Sequence, residues 1–270
     1  MASMAPKQMI RDALKRFGYE IRKTPVPGVS VAPLELPLVD VLDLLLCEHL
    51  RAGERPFFVQ IGANDGTTAD PMHDLVRRHR LPGLLVEPQP RAFQALLSNY
   101  ASEAQLRFEN CLLGTVDGAA TFYTVREDVP GLPFWLHQSA SLDRSIVERA
   151  LRVFRDVKGV RAIPADHESL IEAIRVPSMT WDELLRRHKI SRIDVLVIDT
   201  MGFDFEIIKL LPFERIKPQI IHFEHSMLSA DDQRACLELL TKQGYSLAKV
   251  AVDTIACLNV KTRRWQLNAW

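Results

Sequence analysis

The chain of 270 residues lacks any net charge, with 34 Lys and Arg balanced by 34 Asp and Glu. Proteins dedicated to DNA or RNA usually show a basic excess, so nucleic acid is not an expected partner. Long hydrophobic runs are missing as well. None approaches the ~18 apolar residues of a membrane span, and none is expected. Met1 to Phe17 is charged and amphipathic without the apolar centre of a secretory signal. Cysteine is sparse. Cys47, Cys111, Cys236 and Cys257 form no C-x-x-C pair and sit in apolar stretches. They read as buried reduced thiols, which points to a cytoplasmic protein. What is present is ordinary globular material, 47% apolar and 25% charged, which excludes a disordered chain. A chain of this length buries enough surface to fold without disulfide or metal staples.

Two parts are expected. Residues 1–54 form an N-terminal helical extension, with a short amphipathic helix at 6–18, a proline-rich connector at 24–37 and a helical run from Leu38 to Leu50. Residues 55–270 form the main domain. There, short apolar runs alternate with helical periodicity: strands at 57–61, 83–87, 106–113 and 119–125, with helices at 68–80 and 90–100 between them. Further strands are expected at 173–179, 193–198 and 219–223, helices at 181–188, 203–211 and 230–243, and a C-terminal antiparallel hairpin. This alternation predicts an α/β fold with a mostly parallel sheet. An irregular insertion at about 126–164, with a helix near 142–154, is expected over one end of the sheet.

Four segments carry chemistry. Val59-Gln60-Ile61-Gly62-Ala63-Asn64-Asp65-Gly66 leads a buried strand into a glycine turn and a helix, where backbone can approach a ligand closely. The spacing fails the dinucleotide pattern G-x-G-x-x-G, because Asn64 and Thr67 stand where glycines should be. That argues against NAD and leaves a smaller nucleoside ligand; a purely structural turn is the plain alternative. Glu87 ends the next strand, where an acid can accept hydrogen bonds from ribose hydroxyls. Ile193 to Asp204 is a buried strand ending at Asp199, followed by Thr200, Met201 and Gly202. Ile220 to His225 places Glu224 and His225 at another strand end, where a carboxylate serves proton transfer or simply pairs with a cation. In open α/β sheets these strand ends share one crevice.

In this order, VQIGANDG, LLVEPQP, MTWDELL, IDVLVIDTMGFD and IIHFEH resemble the FkbM family of S-adenosylmethionine-dependent methyltransferases over roughly residues 55–260. The resemblance implies a Rossmann-like class I methyltransferase fold, a seven-stranded mostly parallel sheet with an antiparallel last strand. It implies methyl transfer, most often to a hydroxyl of a sugar or polyketide-type product. Carried over by motif, Gly62, Ala63, Asn64 and Gly66 hold the methionine part of the cofactor, with Gln60 beside them. Glu87 holds the ribose, and Asn110 lies near the adenine edge. Asp199 stands between cofactor and acceptor, and Glu224 on the acceptor side. Two residues depart from the pattern. Gln60 replaces an acid common before the glycine turn, and Met201 replaces the glutamate of the family's Asp-x-Glu-Gly.

The mechanism expected is in-line attack of an acceptor oxygen on the sulfonium methyl, with Asp199, Glu224 and His225 as candidate bases. Magnesium held by Asp199, Asp204 and Glu224 is the less favoured alternative. Trp135, His137, Ser139 and Ser141 in the insertion, with Met201 and Asp204, are candidates for the acceptor, a small molecule or glycan. The N-terminal 50 residues are candidates for a homodimer contact or for covering the site. Two competing readings are a peptide or protein methyltransferase of the same fold and a non-catalytic S-adenosylmethionine-binding module.

Overall fold

The computed structural model describes residues 41–259, apart from 52 and 127. The helix expected at 6–18 and the connector at 24–37 lie outside the described residues. In chain order the elements are α1 (Val41–Arg51), β1 (Phe58–Ile61), α2 (His73–His79), β2 (Gly83–Val86), α3 (Pro90–Asn99), β3 (Leu106–Glu109), β4 (Leu112–Leu113) and β5 (Gly118–Val125). They continue with α4 (Arg144–Asp156), β6 (Ile171–Met179), α5 (Trp181–Arg187), β7 (Val195–Ile198), α6 (Asp204–Leu210), β8 (Ile220–Glu224), α7 (Ala230–Lys242), β9 (Ser246–Val250) and β10 (Asp253–Cys257).

The main sheet has seven strands in the order β3-β2-β1-β7-β8-β10-β9. From β3 to β8 all neighbours are parallel. β10, last in sequence, runs antiparallel to both β8 and β9. This is the class I methyltransferase arrangement that the family resemblance implied. The central strands are short and apolar because both faces are covered. Alternation along each strand divides the side chains between two layers. Val59, Ile61, Leu84, Val86, Leu196 and Ile198 pack against Trp181 and Leu184 of α5, Ile207 and Ile208 of α6, and Cys236 and Leu240 of α7. Phe58, Leu85, Val195 and Val197 pack on the other face against Leu42 and Leu46 of α1, Leu75 and Val76 of α2, and Leu96 of α3. Thus α1 shares a core with the main sheet.

A second sheet, β4-β6-β5, stands apart. β5 pairs antiparallel with β6 from Gly118↔Ser178 to Val125↔Ile171. The continuous strand expected over 106–113 is broken into β3 and β4. Asn110 turns the chain there, its Nδ2 donating to Glu87 O at 2.7 Å and Pro88 O at 3.2 Å. Leu112 then pairs with Ser178 in the second sheet. The segment between β5 and β6 builds a small core of Val125, Leu136, Val147, Leu151, Ile163, Leu170 and Ile171.

The helix expected over 68–80 begins only at His73. Before it, Ala69 has φ 56°, and Asp70 Oδ1 accepts Met72 N–H at 2.7 Å, so the chain is still a capped turn. Cys111, Cys236 and Cys257 are buried free thiols as expected, while Cys47 is half-buried. Among the described residues, no helix is long and apolar enough to cross a membrane.

Candidate active site

The site begins where β1 ends. Gly62 has φ 82°, and a Cβ added there would lie 1.9 Å from Asp199 O, so β1 and β7 approach too closely for any side chain. Beyond it, Asp65 organises the turn, accepting Thr67 N–H at 2.9 Å, Thr68 N–H at 2.8 Å and the Thr68 hydroxyl at 2.7 Å. Burial alone would raise the Asp65 pKa, but these donors outweigh it and hold the carboxyl below its ordinary value. Gly66 sits under α3, where an added Cβ would meet Tyr100 at 2.4 Å and Leu96 at 2.5 Å.

Glu87 leaves the end of β2 almost fully buried, at 3% exposure. One carboxylate oxygen accepts Asn64 N–H at 2.8 Å and the other accepts Gln89 N–H at 2.8 Å. Burial pushes its pKa up to about 7, against the pull of those two donors and with a further push from Asp199 and Asp65. Gln89 Oε1 in turn accepts the Thr124 hydroxyl at 3.0 Å, tying this turn to β5.

Asp199 ends β7. Solvent reaches its side chain through the cleft, while protein closes over the remaining sides. Loss of hydration, then the nearby carboxylates Glu224, Asp253 and Asp70, push its pKa up to about 7. The next residues form a strained loop, with Met201 at φ 51° and Gly202 at φ 88°. Asp204, fully buried at the start of α6, holds that loop. Its Oδ2 accepts the Thr200 hydroxyl at 3.0 Å, Gly202 N–H at 3.2 Å and Thr200 N–H at 3.4 Å. Burial and the Asp199 charge raise its pKa well above the usual range.

These elements border an open cleft whose space, counted out into the solvent at its mouth, is roughly 950 Å³. Of the residues singled out in the sequence, Gln60, Gly62, Ala63, Asn64, Glu87, Ser141, Asp199 and Met201 line it together. Gly66, Asn110 and Asp204 stand behind the wall and shape it. Ser139 is buried and does not line the cleft. His137 faces Val125 O at 3.2 Å, and Trp135 makes an edge contact with Phe154 at 4.9 Å between ring centroids. Neither lines the cleft. Glu224 and His225 are also outside the wall. Ser226 donates to Glu224, and His225 lies 3.1 Å from the Thr254 hydroxyl. Burial raises the Glu224 pKa, and Asp253 adds to the rise.

The motifs missed other wall residues: Asp70, Gln89, Phe122 and Gln138. Asp70 had one signal, the Asp-Pro step before a helix. Gln138 had none, because its place depends on how the insertion folds back. Three wall residues carry buried polar atoms without a partner in the protein: Gln60 Oε1, Asp70 Oδ2 and Gln138 Nε2. Such atoms are costly unless a ligand or water meets them. Among the described residues, no group of three or more His, Cys, Asp or Glu side chains is arranged to hold a metal ion.

Residues 60–247 match the model of the methyltransferase FkbM domain. Among curated proteins, none matches the chain. Solved structures to which it is similar include the precorrin-6y C5,15-methyltransferase of Geobacter metallireducens, at 12% identity over 80% of this chain and 87% of that one, with a TM-score of 0.39. An RNA methyltransferase from Salinibacter ruber in complex with S-adenosyl-L-homocysteine shows 11% identity over 86% and 100%, with a TM-score of 0.33. The fibrillarin pre-rRNA processing protein of Methanococcus jannaschii shows 12% identity over 77% and 68%, with a TM-score of 0.36.

Proposed function

The chain belongs to the FkbM methyltransferase family, and from that premise we propose that it methylates a hydroxyl of a sugar, glycan or glycosylated natural product. It is an S-adenosylmethionine-dependent methyltransferase of Rossmann-like fold. The wall residues fit that cofactor. A buried acid at the end of β2, a glycine turn after β1 and unpartnered buried donors and acceptors suit a polar nucleoside ligand. In this reading Gly62, Ala63 and Asn64 line the amino-acid part, Glu87 faces the ribose, and Asn110 fixes the turn beside the adenine. Gly66 acts from behind by letting α3 approach.

When bound, the cofactor supplies a methyl group on a sulfonium, which leaves as a neutral thioether. The chain's own task is to place an acceptor oxygen in line and to take its proton. The observation that carries the oxygen-acceptor reading is the place of Asp199, a carboxyl just after β7 that opens onto the cleft beside Gly62, with burial and neighbouring carboxylates on its other sides pushing its pKa up to about 7. Such a group is ionised in a useful fraction at neutral pH and still basic enough to help a hydroxyl lose its proton. Ser141, Gln138 and Phe122, which also line the cleft, offer hydrogen-bonding groups and an apolar surface that suit a sugar ring. Glu224 and Asp253 do not line the cleft and act on Asp199 through their charge. The four free cysteines suit a reducing, cytoplasmic setting.

Mass spectrometry of candidate acceptors incubated with S-adenosylmethionine tests the proposal. Sugar-bearing compounds are expected to gain one oxygen-linked methyl. Methyl transfer to peptide nitrogen or carboxyl groups instead, with sugars untouched, would overturn it.

A further inference from the structure

The residue before the glycine turn is Gln60, a neutral amide. The structure supplies a carboxylate from elsewhere. Gln60 Nε2 donates to Asp70 Oδ1 at 3.2 Å, and both residues line the cleft beside Gly62 and Asn64. Asp70 Oδ1 also caps the turn into α2 by accepting Met72 N–H at 2.7 Å. The other oxygen of each side chain, Gln60 Oε1 and Asp70 Oδ2, is buried without a partner. Gln60 itself is only 2% exposed.

We infer that Gln60 and Asp70 together form the seat for the primary ammonium group of the cofactor's amino-acid moiety, with Asp70 providing the charge that position 60 lacks. This rests on the assignment of the cleft to S-adenosylmethionine. Two orphaned acceptors on side chains that are hydrogen-bonded to each other call for a donor, and a carboxylate oxygen among them calls for a cationic one. An ammonium has N–H donors and no acceptor, so its chemistry suits both oxygens. A carboxylate placed there would face three oxygens and be repelled. The unpartnered donor of the wall, Gln138 Nε2, comes from the segment after β5 and does not share this pair's hydrogen bonds. The Gln60–Asp70 hydrogen bond and the Met72 cap fix both side chains before any ligand arrives. The seat is therefore preorganised, and one oxygen of Asp70 is already used to hold the turn before α2.

Calorimetry with S-adenosylhomocysteine and with its analogue lacking only the amino group tests this on the full chain. The wild type is expected to bind the des-amino analogue at least tenfold more weakly. Asp70→Asn keeps an oxygen for the Met72 cap while removing the charge. It is expected to weaken S-adenosylhomocysteine binding about tenfold and leave the analogue unchanged, erasing the preference. Equal binding of the two ligands by the wild type overturns the ammonium seat and leaves the cofactor site standing; this arm needs no variant. An equal loss for both ligands in Asp70→Asn also overturns it, since that is the mark of a structural role. If the wild type binds neither ligand, both the seat and the cofactor assignment fail.

Discussion

Glu87 Oε2 accepts the backbone N–H of Asn64 at 2.8 Å, so the acid at the end of β2 is also a clasp on the turn after β1. The two cofactor motifs are therefore one mechanical unit. Asn64 sits at φ 46°, a left-handed conformation that a non-glycine residue holds only when its surroundings favour it. The carboxylate of Glu87 supplies part of that hold.

The clasp predicts an unusual pH dependence. Burial holds the folded-state pKa of Glu87 near 7, above the ordinary 4.5. A carboxyl that binds its proton more tightly when folded contributes stability that is fully present below its unfolded pKa. That contribution is lost as pH rises through the folded value. The gap corresponds to on the order of 3 kcal/mol. Urea denaturation at about pH 5 and about pH 8 should show the wild type losing more stability across this range than Glu87→Gln, which cannot titrate. Parallel pH profiles for the two proteins would contradict the buried clasp.

Gly62 offers a steric test. An added Cβ would sit 1.9 Å from Asp199 O at a backbone φ of 82°, so Gly62→Ala must separate β1 from β7. Destabilisation of more than ~3 kcal/mol is expected, beyond the ordinary range for a point substitution. Gly159 has a similar φ of 73° with nothing within 4 Å of an added Cβ. Gly159→Ala should therefore cost only the left-handed penalty of roughly 1–2 kcal/mol. Chemical denaturation of both variants separates contact from conformation; equal losses would refute the close approach.

Asp204 is fully buried, burial and then the Asp199 charge push its pKa up, and only its Oδ2 accepts hydrogen bonds, Oδ1 having no partner. An amide then replaces it with little change, keeping one oxygen to accept from Thr200 and Gly202. Asp204→Asn should stay within ~1 kcal/mol of the wild type at about pH 7, whereas Asp204→Ala leaves buried donors unpaired and should cost roughly 2–4 kcal/mol. A thermal or urea unfolding series decides it. Comparable losses in both variants would mean that holding the loop through Oδ2 is not what Asp204 contributes.

The main sheet was legible because its strands are short apolar runs buried on both faces, and the glycine turn and Glu87 lie at their ends. Val59, Ile61, Leu196 and Ile198 carry that pattern without help from distant contacts. What was not legible depends on partners far away in sequence. The break between β3 and β4 needs Asn110 to bond to the turn after β2, and β4 needs β6. Asp70 looked like part of a helix until its side chain was seen capping the turn and meeting Gln60. In the insertion, Trp135, His137 and Ser139 have the chemistry of a sugar site. The fold nevertheless turns Gln138 and Ser141 to the cleft instead, a choice set by the small core around Leu136.

Asp199 gives the most direct test of the chemistry. It opens onto the cleft with a pKa near 7, raised first by lost hydration and then by Glu224, Asp253 and Asp70. A base must be ionised to accept a proton, so turnover should rise with pH and level off above an apparent pKa near 7. Because the carboxylates interact, that value belongs to the group rather than to Asp199 alone. Asp199→Asn keeps size and polarity but cannot take the proton. It should lower turnover by roughly 100-fold or more and flatten the rising limb, the usual scale for removing a positioned base. Cofactor binding, measured separately by calorimetry, should change far less than turnover. A variant with near-normal turnover and an unchanged pH profile would remove Asp199 from the chemistry.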